Sequence, residues 1–190
     1  VLMLVAVASS VFGWMSLRRA RVAEAEAQKS RSDAEKLVSF LIEDFYSELA
    51  PTGRLETLGK LAHMTVGYYD GLPAQLVTPR TEAFRAMALV REGAAQNASG
   101  QVDAAYKSFD EAQSVFEKLR ASGHRDEAIV YGEALALYNE GFSVLGGGRG
   151  TPAQLQQSAD LLRPLVHSGK TSRRVRIAYA DTLNVYSHTQ

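Results

Sequence analysis

Residues 88–100 read ALVREGAAQNASG, and residues 136–148 read ALYNEGFSVLGGG. The second stretch repeats the first at an offset of 48 residues, keeping the alanine, the leucine, the Glu-Gly pair and the closing glycine. Residues 182–190, TLNVYSHTQ, fit again 46 residues further on, with Leu183 at the leucine position and Ser187 at the small one. A period of this length marks an architecture in which one supersecondary unit stacks on copies of itself.

Residues 100–119, GQVDAAYKSFDEAQSVFEKL, show what the unit is made of. Val102, Ala105, Phe109, Ala112, Phe116 and Leu119 recur three or four residues apart, the signature of one helical face. Small residues on that face let a neighbouring backbone approach, and the large ones fill the space between. Helices are expected over 80–99, 102–121, 125–146, 153–168 and 172–189, each bounded by glycine, proline or polar residues. No strand pattern interrupts them, so the chain reads as all-α.

On these residues the segment 79–190 resembles the tetratricopeptide repeat, with units at 79–122 and 125–168 and a partial one at 171–190. The resemblance implies antiparallel helical hairpins stacked as an α-solenoid. It assigns packing roles to Leu89, Gly93, Ala105, Phe109 and Ala112, with Gly100 as the turn glycine. In the second unit Leu137, Gly141, Gly148, Ser158, Leu162 and Leu165 correspond once about five residues are inserted around 149–152. Three features depart from the family pattern: Glu92 and Gln96 stand where apolar residues are expected, the terminal proline is missing, and the spacing is long. First helices line the inner face of such a stack, which points Val90, Ala94, Asn97, Tyr138, Phe142, Asn184 and His188 toward a protein or peptide partner.

Upstream of the repeats the chain changes character. Residues 1–17, VLMLVAVASSVFGWMSL, carry no charge and are followed by Arg18, Arg19 and Arg21. A membrane-spanning helix needs about 20 apolar residues, so this run is read as a single-pass span in contact with the bilayer, expected to extend upstream of its valine start. Residues 18–36 read as an exposed helical stalk. Ala20, Ala23, Ala27, Ser30, Ala34, Leu37 and Leu41 follow a heptad spacing that suits either a homodimer seam or a solvated linker. Residues 37–78 read as a helical hairpin broken at 51–53. This lead-in resembles the segment joining a transmembrane helix to degenerate tetratricopeptide repeats in bacterial signalling proteins with an upstream effector domain. That likeness implies a bacterial inner-membrane protein with a scaffolding or sensory role. Basic residues beside the span favour a cytoplasmic side, whereas an upstream cytoplasmic effector would export the repeats. The reading leans to an extracytoplasmic repeat domain.

Composition bounds the chemistry. Twenty-one basic and 21 acidic residues cancel, which leaves no global basic field to recruit nucleic acid. Cysteine is absent, removing disulfides, thiolate nucleophiles and cysteine-bound zinc. His63, His124, His167 and His188 show no paired-ligand spacing, so no metal or cofactor is expected. Residues 146–151, GGGRGT, lack the Lys-Ser/Thr ending of a phosphate loop and read as a flexible connection. The adjacent acids Glu43 and Asp44, and Asp126 and Glu127, diverge by about 100° on a helix and form no acid–base dyad. The sequence therefore reads as a non-catalytic interaction module. A structural spacer or oligomerisation domain is the alternative, and an enzyme with a site between helices a more distant one.

Overall fold

The computed structural model describes residues 18–19, 21–26, 28–29, 32–38, 40, 54–146 and 148–189. It divides into two compact units, residues 1–41 and 42–190. In the first, every described residue is helical. The membrane-span reading of 1–17 and most of the first helix of the lead-in hairpin lie outside the described residues. Among the described residues no helix is long and apolar enough to cross a membrane.

The second unit is built from six described α-helices: α1 (Leu55–Asp70), α2 (Pro79–Ala98), α3 (Val102–Ala121), α4 (Glu127–Phe142), α5 (Pro152–His167) and α6 (Arg173–Ser187). Short 3-10 turns occupy Ala74–Leu76 and Ser143–Gly146. No strand occurs among the described residues. Each helix packs on the next, and α2 and α6 also touch α4. Loops of three to nine residues make successive helices antiparallel.

Local chemistry explains the starts and stops. Thr78 and Thr151 each precede a proline that opens a helix, where the missing N–H costs nothing. Thr78 Oγ1 accepts from Thr81 N at 3.2 Å, and Asp126 Oδ1 accepts from Ile129 N at 3.3 Å. Gly100 ends α2 at φ +78°, a left-handed conformation that L side chains rarely adopt. Gly148, its expected counterpart, does not share that conformation; its absent side chain instead admits the Tyr106 hydroxyl.

The core follows the repeat. Ala88, Ala136 and Thr182, which begin the three matched stretches, are all fully buried. On α3, Ala105, Phe109, Ala112, Phe116 and Leu119 are buried, whereas Val102 at the helix start is 40% exposed. Residues 131–137 of α4 are buried on every side because four helices surround it. Ser158 Oγ of α5 donates to Ala134 O of α4 at 2.7 Å, so a small polar residue satisfies itself at a close crossing.

Two expectations need correction. The helix expected over 125–146 ends at Phe142, because Ser143 Oγ turns back onto Glu140 O at 2.7 Å and the chain tightens into a 3-10 turn. The 146–151 connection is also not loose. Tyr106 OH pairs with Ser143 Oγ at 2.5 Å, Arg149 N donates to Tyr106 OH at 2.6 Å, and Gly150 N donates to Ser143 Oγ at 3.0 Å. The Arg149 guanidinium lies 3.9 Å from the centre of the Tyr106 ring.

Candidate interaction surface

The seven residues expected to face a partner separate into distinct environments. Val90 is fully buried, so it has no surface to offer; its place between α2 and the helices around it makes it core. Ala94, Asn97 and Tyr138 are half-buried, and Phe142, Asn184 and His188 are exposed. The fold brings Asn97 of α2 and Phe142 of α4 into one cleft of about 160 Å³, with Val102, Tyr106 and Ser143 beside them. Tyr138 packs against Phe142, ring centres 5.8 Å apart and tilted by 32°. Burial raises the Tyr138 hydroxyl pKa, with the Asp181 charge adding to it. Asn184 and His188 sit apart from that cleft at the end of α6, where His188 Nδ1 lies 2.7 Å from Asn184 O.

The residues expected to pack are buried: Leu89, Gly93, Ala105, Phe109, Ala112, Leu137, Gly141 and Leu162. Leu183, placed at the leucine position of the partial unit, is 40% exposed, because the buried face of α6 runs through Val175, Thr182 and Val185 instead. Glu92 and Gln96, the polar departures from the family pattern, are satisfied across helices. His63 Nδ1 of α1 lies 2.8 Å from Glu92 Oε1, and Ser108 Oγ of α3 donates to Gln96 Oε1 at 2.9 Å.

Several contacts escaped the sequence reading. Gly132 of α4 lies against the Phe116 ring, and Gly141, nine residues later and half a turn away in angle, faces Leu155 of α5. The first glycine could have been found by that nine-residue spacing within an apolar helix. Gln113 donates to Glu140 Oε2 at 2.7 Å and Arg120 to Glu133 Oε2 at 2.9 Å, forming two rungs seven residues apart on the antiparallel helices α3 and α4. Burial pushes the Glu133 carboxyl up and Glu117 adds to this, with Arg120 offsetting only part. Among the described residues, no three His, Cys, Asp or Glu side chains converge. Compared with known proteins, the chain matches no protein-family model, no curated protein and no solved structure.

Proposed function

We propose that residues 79–190 form a degenerate tetratricopeptide-like solenoid, anchored through residues 1–17 and working as a non-catalytic protein-binding module of a bacterial signalling protein. The order of contacts supports the stacked reading, since α4 adjoins both α2 and α6 while α3 and α5 each pack between their sequence neighbours. The observation that carries the binding role is the cleft shared by Asn97 and Phe142. It joins two repeat units, and it places a 44% exposed phenylalanine beside a half-buried tyrosine and a polar amide. Aromatic anchors flanked by amides suit the capture of an extended or helical peptide. The anchoring role rests on the 17 uncharged residues and the arginines that follow them.

Peptide-library panning on the full chain tests this reading. Phe142→Glu should abolish recovery of the selected sequences, while Ile177→Glu, a change at another exposed apolar residue, should leave it intact. Equal recovery on both variants, or no enriched sequence on the wild type, would refute the binding role.

A further inference from the structure

The cleft shared by Asn97 and Phe142 has a wall that is already fixed and one polar group that is not. The polar side chains lining it are those of Asn97, Tyr106 and Ser143. Ser143 Oγ donates to Glu140 O and accepts from Gly150 N, which leaves Tyr106 OH to donate to Ser143 Oγ while it accepts from Arg149 N. Both hydroxyl protons are therefore committed. The main chain of that wall is tied as well, since Gly148 N donates to Ser143 O at 2.9 Å.

Asn97 differs. Its main-chain oxygen accepts from Gly100 N at the end of α2, but its carboxamide has no hydrogen-bond partner among the described residues. The other half-buried asparagine, Asn139, bonds back to Leu135 O of its own helix at 2.7 Å. Asn97 thus keeps donors and an acceptor uncommitted at the edge of an otherwise apolar space, beside Val102 and Phe142.

Size and charge narrow the occupant. A cavity of about 150 Å³ accepts a benzene-sized group, so a cleft of about 160 Å³ takes one side chain of leucine or phenyl size. No charged residue lines the cleft, and Arg149 at its border faces Asp110 at 3.8 Å. The fitting group is neutral and carries a donor and an acceptor next to an apolar side chain. An extended main chain is such a group, because the N–H and C=O of one residue lie on the same edge of the strand and can both bond one neighbour. In a helix those groups are bonded internally, so a helical segment has nothing to offer the carboxamide.

We propose that the cleft captures an extended segment of a partner protein. One large apolar side chain enters beside Val102 and Phe142, and the Asn97 carboxamide bonds the N–H and C=O of a main-chain residue next to it. The inference rests on the peptide-binding reading and adds the conformation the partner must adopt: Phe142 holds the segment, and Asn97 tells an extended one from a helix.

Panning of the full chain against two libraries tests this, one of linear heptapeptides and one displayed on a helical scaffold. The linear library should yield sequences sharing one Leu, Met or Phe, whose recovery Phe142→Glu abolishes. The selected heptapeptide is then synthesised with each backbone amide replaced in turn by an ester, which removes one N–H and leaves the side chains unchanged. In calorimetric titration one of these replacements should weaken binding to the wild type by about tenfold. Asn97→Ala should bind the all-amide peptide about tenfold more weakly and no longer distinguish it from that ester. Asn97→Asp, of the same shape, keeps an acceptor but loses the donors, so it should bind more weakly yet still respond to the ester. No enrichment from either library would refute the binding role and this inference with it. Enrichment from the helical library alone, or wild-type affinity in Asn97→Ala, would overturn the extended-segment assignment and leave the cleft a binding site.

Discussion

A Cβ placed on Gly93 of α2 would stand 2.6 Å from Cε1 of Phe109 on α3, so the aromatic ring fills the volume that any other residue at 93 would need. Two turns later on α3, Phe116 meets Gly132 of α4 in the same way. Two rings on one helix thus key into a glycine on each neighbour. Shape, rather than hydrophobicity alone, sets the register between successive helices.

Gly93→Ala brings two effects into opposition. Alanine favours a helix interior by about 1 kcal/mol over glycine, whereas overpacking a tight contact costs about 1–3 kcal/mol. The clash should win, for a net destabilisation of up to about 2 kcal/mol. Gly67 of α1 has open space around it, so Gly67→Ala should stabilise by up to about 1 kcal/mol. Urea denaturation of both variants checks this; equal stabilisation would mean that the Phe109 ring moves aside freely.

Tyr106→Phe removes the hydroxyl that joins Ser143 Oγ and Arg149 N. Ser143 Oγ keeps its bonds to Glu140 O and Gly150 N and Arg149 is exposed, so the loss is that of part-buried hydrogen bonds and stability should fall by about 1 kcal/mol. The 146–151 connection should also open locally. Trypsin should then cut after Arg149 faster than in the wild type, and an unchanged cleavage rate would show that the hydroxyl does not hold the loop.

Glu133 should make stability depend on pH in a defined direction. Burial raises its folded pKa above the ordinary value of 4.5, so over that interval the folded state holds a proton that the unfolded state has lost. Stability therefore falls as pH rises from 4.5 through the folded value, then levels off. Glu133→Gln should match the wild type below the interval and exceed it above. Melting temperatures from pH 4 to 8 would read this out, and a variant less stable at neutral pH would show that the Arg120 bond outweighs burial.

Glu127 should act in the opposite sense. Burial alone would raise its carboxyl, but hydrogen bonds from Ser172 and from Thr171 Oγ1 outweigh it and leave the pKa lowered. A depressed acid contributes stability above 4.5 that is lost as pH falls through the folded value. Because Glu127 ties the start of α4 to the start of α6, Glu127→Gln should cost about 1 kcal/mol at neutral pH. Hydrogen exchange should quicken first in residues 173–187; uniform quickening through α4 and α6 would deny it a local tethering role.

The heptad seam of the stalk has its own test. Ala23, Ala34 and Leu37 are exposed, while Ala20, Ala27, Ser30 and Leu41 lie outside the described residues. If the seam pairs two chains, sedimentation should show concentration-dependent association that Ala27→Lys weakens. A monomer at high concentration would leave a solvated linker.

The helices and their repeat were legible in the sequence because both depend on local information. Apolar spacing of three and four residues, a threonine before a proline, and a glycine after the last helical turn act within a few residues of themselves. The 48-residue offset then tells which helices are equivalent. The same local spacing placed Ala105 and Phe109 on one helical face, while the packing role of Gly93 came from the tetratricopeptide resemblance. It failed at Val90, since spacing names a face of a helix but does not say how far neighbouring helices close over it.

Tertiary structure alone decided which polar groups meet. Glu92 and Gln96 look like flaws in an apolar pattern until His63 and Ser108, 29 and 12 residues away, arrive to satisfy them. The GGGRG connection looks loose until Tyr106, 43 residues upstream of Arg149, takes its backbone N–H. Arg85 and Glu133 occupy equivalent places in the repeat, yet Arg85 bonds Asp70 of α1 and Glu111 of α3, whereas Glu133 bonds Arg120 of α3. Helix formation is governed by near neighbours along the chain, whereas a hydrogen bond or ion pair between helices exists only once packing has brought distant groups within about 3 Å of each other.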